Sequence, residues 1–425
     1  AFFSSLQTLA GNSNDNAARQ ALLTNAQGLS SRFNAISGQL KQQGSYINDQ
    51  LGSMADQVNK LASTVAAYNK KISEVSGSGG TPNELLDQRN ETIRQLNELV
   101  GTQVTETEGR MDIYLGSGQP LVVGDTVNKL RVAADPADPT RSSIIMDRNG
   151  SSIDITNVMS GGEMGGLLRY RSEVLTPAVN GLGRIAMVVA DQVNKQLGQG
   201  LDQSGNFGAA LFNDINSAAA ISQRSIANAK NNPASGNLNV TIKDTGKLAA
   251  SDYQVTFTSA TGYSVRRLSD NTDMGSFDLG TTPPPVIDGF SLSLNAGAVN
   301  SGDSFKITPT RSSAADMATV MTDAKRLATS APLTSTKAQG NNGTGDASQP
   351  TLKTNLDIYD SAQRLEVQSA VKASMPVRML MTSASAYEVF DAKGVSIGTG
   401  NIVPGQNNDL SISVPYTDAS GAAKT

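Results

Sequence analysis

Apolar or small residues recur at alternating steps of four and three along the first part of the chain, and Gly44 is the one break in the series. The series consists of Leu22, Ala26, Leu29, Phe33, Ile36, Leu40, Gly44, Ile47, Leu51, Met54, Val58, Leu61, Val65, Tyr68, Ile72 and Val75. A repeat of about 3.5 residues places a narrow apolar seam along one side of a helix. As one helix the span would be roughly 80 Å long, because each residue adds about 1.5 Å.

Two arrangements fit this seam. The first is a single long helix, and the second is a helical hairpin that turns near Gln43-Gly44-Ser45, because glycine costs a helix about 1 kcal/mol relative to alanine. We favour the single helix. A narrow seam gains its stability by packing on other helices, so we expect residues 82–100 and about 165–197 to form a bundle with it. Part of the seam could instead pair with another subunit if the bundle lacks a helix.

The apolar period changes to two between residues 104 and 158. Asn149-Gly150, between Ile144-Ile145-Met146 and Ile153-Asp154-Ile155, is typical of a two-residue hairpin. The pattern predicts a small β excursion within a helical rod domain of residues 1–215. Helical spacing returns after it, and Pro177 is expected either to kink that helix or to begin a new one.

Alternation of apolar and polar residues dominates beyond residue 215. It predicts an antiparallel β domain over 216–332, closed by a short helix with Met317, Val320, Ala324 and Leu327. A linker rich in Gly, Asn and Ser follows at 333–348. An additional outer β domain is predicted over 349–425 without a closing helix. The apolar runs behind this prediction are Leu356/Ile358, Leu365/Val367, Met379/Met381, Val395/Ile397 and Leu410/Ile412/Val414. The expected fold class is therefore α+β multidomain, an elongated helical bundle or coiled-coil rod with two antiparallel β domains.

The composition narrows the possible functions. Charged residues make up 17% of the chain and the net charge is −4, which gives no electrostatic footprint for nucleic acid. No continuous apolar run is long enough to cross a bilayer, so no membrane partner is expected. The chain has neither His nor Cys, which excludes Ser-His-Asp and Cys-His sites and zinc sites built on imidazole or thiolate. Catalysis by carboxylates alone stays formally open.

The motifs that suggest chemistry have simpler structural interpretations. Asp202, Ser204 and Asn206 alternate like calcium ligands, but Phe207 stands where the loop requires glycine, so a hydrogen-bonded turn is favoured. The glycine run 161–166 lacks the lysine of a phosphate loop and is interpreted as the lead-in to a helix. A catalytic carboxylate pair could be sought among Glu84, Asp87 and Glu91. Their position near a helix N-terminus favours the simpler interpretation that they stabilise that helix. We therefore predict no catalytic residue, metal or cofactor, and no enzymatic activity.

Several stretches together resemble one protein family. They are Phe2-Phe3-Ser4-Ser5-Leu6, Ala18-Arg19-Gln20, Arg32-Phe33-Asn34, Leu85-Leu86-Asp87-Gln88-Arg89-Asn90, Gly165-Gly166-Leu167-Leu168-Arg169-Tyr170-Arg171, Val193-Asn194, Gly200-Leu201-Asp202-Gln203-Ser204-Gly205, Asp252-Tyr253-Gln254-Val255 and Asp303-Ser304-Phe305-Lys306-Ile307. In order and spacing they resemble the flagellar hook-associated protein 1 family, the junction proteins between hook and filament of bacterial flagella. Asn90 replaces the family's usual Asp, and a His common after Val-Asn is replaced near Gln196. Neither change threatens a helix.

The resemblance implies a non-enzymatic adaptor on the extracellular flagellum, exported without a cleaved signal. It implies a ring of copies between the hook protein and hook-associated protein 3. The family's terminal helical regions, which form the inner tube, have no counterpart here, so the resemblance implies a core fragment. The export-chaperone site would belong to the missing C-terminal region.

Polar positions flanking the seam are the expected contacts with neighbouring subunits. We predict Gln57, Lys60, Asn69, Gln88 and Arg94 as interface residues. Two other functions remain open: another extracellular filament subunit or an adhesin whose outer β domain binds a ligand, and a carboxylate-dependent glycan hydrolase. The absence of Trp and of a convincing carboxylate pair argues against the hydrolase.

Overall fold

The computed structural model describes residues 1–148, 150–354, 356–418 and 420–424. The α-helices of these residues are α1 (Phe2–Gly11), α2 (Asn16–Gly77), α3 (Asn83–Val100), α4 (Gly162–Tyr170), α5 (Thr176–Gly198), α6 (Ala218–Gln223), α7 (Ser313–Asp316) and α8 (Ser361–Ser374). A π-helical turn spans Arg171–Leu175, and short 3₁₀ turns span Thr156–Val158, Thr245–Lys247 and Ala324–Arg326.

The strands are short and all their pairings are antiparallel. They are β1 (Thr102–Thr107), β2 (Arg110–Leu115), β3 (Gln119–Val123), β4 (Thr126–Val127), β5 (Lys129–Asp135), β6 (Asp138–Arg148), β7 (Ser151–Asp154), β8 (Ser225–Ala227), β9 (Asn237–Ile242), β10 (Tyr253–Phe257), β11 (Gly262–Arg267), β12 (Asp273–Asp278), β13 (Phe290–Ala296), β14 (Ser304–Ile307), β15 (Arg378–Met381), β16 (Ala386–Phe390), β17 (Ser396–Asn401), β18 (Tyr416–Thr417) and β19 (Ala423–Lys424). A long helix followed by several antiparallel sheets confirms the α+β multidomain class.

The chain divides into two compact units. The first unit comprises Ala1–Leu29, Val189–Asp214 and Ala318–Thr425, and the second comprises Ser30–Val188 and Ile215–Met317. Helix α2 contributes residues to both units. The domain boundaries expected at residues 215, 332 and 348 stay a prediction.

Helix α2 runs without interruption, which confirms the single helix and excludes a hairpin turn at Gly44. The heptad positions Leu22, at the start of the seam, and Leu51, just beyond its midpoint, are buried with exposed fractions of 1% and 0%. Between these two residues the seam is less covered, and Ile36 is 37% exposed. Part of the seam is thus open, and its pairing with another subunit stays a prediction. In the second unit, buried alanines widen the apolar stripe beyond the heptad positions, namely Ala55, Ala62 and Ala66.

The predicted later helix begins at α4 and continues through the π-helical turn into α5. The N–H of Thr176 donates to the carbonyl of Arg171, five residues earlier, and the side chain of Thr176 bonds to the same carbonyl at 2.8 Å. Pro177 follows directly and has no N–H to donate, so it cannot form the backbone hydrogen bond of an α-helix. The π-helical turn therefore lies at the position where that bond is missing. The helical path therefore continues through Pro177 without a new start.

Residues Gly162–Gly198 are long and apolar enough to cross a membrane by length and composition alone. Glycines, Asn180 and Arg184 interrupt this stretch, which is why a search for continuous apolar runs missed it. Its apolar side chains serve the cores of this fold: Met164, Leu168 and Leu175 are buried in one hydrophobic cluster. The stretch as a whole is partly buried, with 33% of its most apolar window inside the fold.

The β excursion of the second unit forms two small sheets, ordered β1-β2-β3-β4 and β5-β6-β7. Their apolar faces pack with α2, α3 and α4 in one core that includes Val58, Leu96, Ile113 and Ile144. Strands β6 and β7 pair as a hairpin, with Arg148 opposite Ser151. Asn149 of the predicted turn lies outside the described residues.

The β strands after residue 215 enclose a second core in the same unit. A five-stranded sheet in the order β12-β11-β10-β14-β8 accompanies the pair β13-β9. Four aromatic side chains are buried in this core. Tyr253 contacts Phe290 edge to face, and Phe257 contacts Phe305 in the same way. The alternation at β9, β10 and β14 correctly predicted these strands. The predicted closing helix is wrong, because Met317 leaves α7 with extended backbone and only a 3₁₀ turn follows.

The last part of the chain differs from its sequence prediction at three apolar runs. Leu365 and Val367 lie on helix α8, where a strand was expected. The side chain of Asp360 caps this helix by accepting from the N–H of Gln363 at 2.9 Å. Val367 is buried while Leu365 is 65% exposed, so burial follows a helical face. The runs at Leu356/Ile358 and Leu410/Ile412/Val414 are likewise not strands; the strands here are β15 to β19.

Candidate assembly surface

Four of the five predicted interface residues lie on the exposed faces of two neighbouring helices in the second unit. Gln57 and Lys60 are exposed on α2, and Gln88 and Arg94 are exposed on α3. Their polar contacts are local: Gln57 approaches Ser53 at 3.5 Å, and the amide of Gln88 donates to a Glu84 oxygen at 3.2 Å. These side chains are therefore accessible to a neighbouring molecule.

Arg94 lies at the centre of an exposed ion ladder. Its guanidinium pairs with Glu91 one turn before it at 2.7 Å and with Glu98 one turn after it. Hydrogen bonds from Arg94 and then Gln95 lower the pKa of Glu91 to about 2. Because all these groups face water, the ladder adds little to stability and mainly defines the charge pattern of the α3 surface.

Asn69 does not belong to this surface. It is fully buried, and its amide donates to the backbone carbonyls of Met111 at 2.8 Å and Gly124 at 2.7 Å. Its side-chain oxygen accepts from the N–H of Met111 and from the guanidinium of Arg89, both at 3.1 Å. The expected interface role of Asn69 is therefore corrected: its side chain ties α2 to α3 and to the β2 and β3 region.

The motifs that suggested chemistry are structural in the described residues. One oxygen of Asp202 accepts the N–H groups of Ser204 at 2.8 Å and Asn206 at 3.0 Å, which is the predicted hydrogen-bonded turn. Among the described residues no three His, Cys, Asp or Glu side chains are grouped to hold a metal. The glycine run opens α4, where Gly161 packs directly on Gly101 at the end of α3.

An open depression of about 290 Å³ lies in the first unit, lined by Gln192, Lys195, Gln196, Gln199, Leu352, Lys353 and Thr354. Among its described lining residues none is a carboxylate, and Leu352 is the one apolar side chain. Lys195 is already paired with Asp191 at 2.8 Å. The depression therefore offers neither an acid–base pair nor an enclosed ligand site.

Buried polar side chains explain two of the family-like stretches. In the first unit, the Asn194 oxygen accepts the N–H groups of Leu211 and Phe212, while its amide donates to the Tyr359 hydroxyl at 2.6 Å. Arg19 is 1% exposed and donates to the carbonyls of Ser13 and Leu327. Both side chains organise loops, a role that needs an exact partner in space and leaves little trace in local periodicity.

The structure also contains a buried group of charges that sequence reasoning missed. Five charged side chains meet in the second unit: Asp138, Arg141, Asp252, Lys306 and Arg311. The sequence of β14 carries one sign of this cluster. Lys306 lies between the buried Phe305 and Ile307, and a lysine in a strand that is covered on both faces needs a buried counter-charge.

Comparison with known proteins assigns the chain to a family. The family model for the flagellar hook-associated protein FlgK helical domain matches residues 1–212, and the model for the D2-like domain of flagellar hook-associated protein 1 matches residues 226–309. The matched regions correspond to the helical part with its β excursion and to the strands β8 to β14.

Two flagellar hook-associated proteins 1 are among the relatives. The protein of Salmonella typhimurium is 33% identical over 365 residues, which cover 85% of this chain and 64% of that protein. The protein of Escherichia coli is 32% identical over 338 residues, covering 77% of this chain and 59% of that protein. The chain thus spans less than two thirds of the length of these relatives.

A solved structure agrees with the sequence matches over the described architecture. The flagellar hook junction protein FlgK from Burkholderia pseudomallei superposes with a TM-score of 0.79 at 29% identity, covering 99% of this chain and 73% of that one. Fold and sequence together define a hook-associated protein of the bacterial flagellum. The chain belongs to the flagellar hook-associated protein 1 family, which is a family of structural flagellar proteins.

Proposed function

We propose that this chain is a structural adaptor subunit that joins the hook to the filament of an extracellular bacterial flagellum. The observation that carries the proposal is the agreement of two family models, which match residues 1–212 and 226–309, with a solved hook junction protein that covers 99% of the chain. The adaptor works without chemistry, through lateral and axial contacts between subunits. Repeated contacts between two different surfaces of one subunit generate rings or helical assemblies, as a junction requires.

The surface chemistry supports this assembly role. Only 17% of the residues are charged, and the exposed positions of α2 and α3 are largely amides, hydroxyls and charged side chains, of which Arg94 is ion-paired on α3. Such groups form many shallow hydrogen bonds and wet contacts without a strong net field. The partners we propose are copies of the same chain in a ring, the hook protein on one side and hook-associated protein 3 on the other.

Deletion of the coding sequence in the source organism tests the adaptor role. By electron microscopy, cells that lack the gene should carry hooks without attached filaments, because the filament then has no junction subunits to bind. Re-expression of the protein should restore filaments. Filaments of normal number and length on deleted cells would contradict the proposal. Normal filaments together with lost binding to surfaces would instead indicate an adhesin.

We further propose that Gln57, Lys60, Gln88 and Arg94 lie at subunit contacts. The chain has no cysteine, so single-cysteine variants at these positions provide specific attachment points for a thiol reagent. In isolated hook-filament junctions, assembly should slow maleimide labelling of Gln57→Cys and Gln88→Cys relative to the free subunit. Lys393→Cys, in an exposed turn of the first unit, is the matched control. Equal labelling of all variants in free and assembled protein would overturn this contact assignment.

A further inference from the structure

The buried charges of the second unit link three parts of the chain. Asp138 and Arg141 belong to β6, Asp252 precedes β10, and Lys306 belongs to β14. Arg311 follows β14 in sequence. The two carboxylates are 0% and 3% exposed as side chains, and Lys306 is 8% exposed. The Arg141 and Arg311 side chains are 23% and 18% exposed, so the cluster joins the β excursion to the strands β8 to β14 with buried carboxylates and partly exposed arginines.

Both carboxylates are contacted from more than one element. One oxygen of Asp138 accepts from Lys306 at 2.9 Å, from Arg311 at 2.8 Å and from Arg141 at 3.3 Å. Its other oxygen accepts the Thr140 hydroxyl at 2.6 Å. The Asp138 carboxylate is thus completely satisfied by charged and hydroxyl donors, which is the condition for a buried charge to be tolerated.

Asp252 connects the same cations to helix α5. One of its oxygens pairs with Arg311 and lies 3.8 Å from Arg141, and the other accepts the amide of Asn180 at 3.1 Å. The amide places α5 in direct contact with the loop before β10. Three elements that are distant in sequence therefore meet at one charged centre.

Two further contacts lie beside this centre. The carbonyl of Thr310 packs so closely on Gly183 of α5 that a Cβ at that position would overlap it. The N–H of Ala229, just after β8, donates to the carbonyl of Pro136 at 2.9 Å. Contacts at three separated points fix rotation as well as distance, whereas a purely apolar contact is non-directional.

We propose that Asp138, Arg141, Asp252, Lys306 and Arg311 form a rigid electrostatic joint that fixes the β8 to β14 strands to β6 and α5. Burying charges costs solvation energy, and apolar replacements of such groups are often neutral or stabilising, so stability alone does not account for the cluster. Directional bonds from several elements instead specify one arrangement. The joint makes the second unit a single body under load, a property that is independent of the hook-filament assignment.

Hydrogen exchange measured by mass spectrometry on the full chain tests the joint. Asp138→Asn leaves three cations facing one carboxylate. Amide hydrogen exchange at β6, β8 and β14 should increase by at least about tenfold, because removing one member of a buried ion pair leaves the other charges without a counter-ion. Exchange in α3 should stay unchanged. Asp147→Asn is the matched control, since Asp147 lies on the same strand but forms an exposed pair with Arg131. That control should alter exchange by less than about threefold.

A double variant keeps the test decisive if Asp138→Asn folds poorly. Asp138→Asn combined with Lys306→Met removes one charge of each sign and should recover part of the lost protection at β8 and β14. Additive losses in the double variant would show that the charges do not act as one unit. An equal increase over the whole chain, or no increase near the cluster, would also overturn the joint.

Discussion

The side-chain oxygen of Asn69 accepts a hydrogen bond from the guanidinium of Arg89 at 3.1 Å, and both residues are buried between α2 and α3. Arg89 also donates to the carbonyl of Gly109 at 2.9 Å, in the turn between β1 and β2. Burial lowers the pKa of Arg89, so its charge depends on these neutral acceptors. The pair couples the two helices to the β excursion.

Replacement of Asn69 by Ala should destabilise the second unit by about 3 kcal/mol, because it removes three hydrogen bonds to backbone groups of Met111 and Gly124 and one from the Arg89 guanidinium. Urea unfolding followed by circular dichroism measures the change. Gln57→Ala on the exposed face of the same helix should change the unfolding free energy by less than about 0.5 kcal/mol. If the two variants were equally stable, the internal role given to Asn69 would be wrong.

Two glycines of α5 should respond oppositely to alanine. Gly183→Ala places a Cβ against the carbonyl of Thr310 and should cost about 1–3 kcal/mol, because backbone cannot move aside cheaply. Gly181→Ala meets no atom within 4 Å and should stabilise the helix by about 0.4–1 kcal/mol. Thermal unfolding of the pair measures both signs. A stabilising Gly183→Ala would contradict the close approach.

Asp138 should give the second unit an acid-dependent stability. Burial alone would raise the pKa of Asp138, but the charges of Arg311 and Lys306 outweigh it and hold that pKa well below its usual value of 3.8. Stability from such a carboxyl is complete above the unfolded-state pKa and is lost as pH falls towards the folded-state pKa. The other charged groups that face the cluster are Arg141, Asp252, Asp135 and Arg171.

Urea unfolding of the wild type and Asp138→Asn between pH 7 and pH 3 measures this linkage, with the pH range chosen to cross the ordinary Asp value near 4. Below pH 4 the unfolding free energy of the wild type should fall by about 1.4 kcal/mol more per pH unit than that of the variant. This is the slope expected when unfolding is coupled to the uptake of one proton. Parallel curves over the whole range would show that Asp138 does not hold its charge in the folded state.

The segment 331–354 should be the preferred site of limited proteolysis. It contains no helix or strand, and residues 336–349 are all exposed, so a protease can bind this backbone without unfolding a core. Brief trypsin treatment should cut after Lys337 before it cuts at Lys60 within α2, as mass spectrometry of the fragments would show. Lys337→Gln should delay the first cut. First cleavage within α2 would contradict the expected order.

The sequence predicted elements whose apolar pattern extends over many residues. The heptad seam of α2 correctly predicted one long helix, and period-two alternation predicted β9, β10 and β14. Leu365 and Val367 were misassigned to a strand because they are apolar and two positions apart. The same spacing also occurs on a helix, where only one of the two residues faces the core, as Val367 does here. A cap at Asp360 and the wider spacing to Val371 would have favoured the helix.

The proposed contact surface was only partly predictable from the sequence. Gln57, Lys60, Gln88 and Arg94 are exposed as expected, but Asn69 was misplaced because a polar residue beside a heptad seam is normally solvated. The row of buried small residues at Ala55, Ala62 and Ala66 continues to Asn69 and marks the wider buried face. The charged joint could not be predicted, since Asp138 and Lys306 are distant in sequence and only the tertiary fold brings them to 2.9 Å.

Immunogold electron microscopy of intact flagella, with antibody raised against residues 1–330, tests the central claim most directly. The adaptor function predicts gold confined to a narrow band where the hook meets the filament. Labelling along the entire filament would contradict the junction role and assign the chain to another filament subunit. Absence of gold from flagella, in cells where the same antibody detects the protein, would contradict a flagellar role.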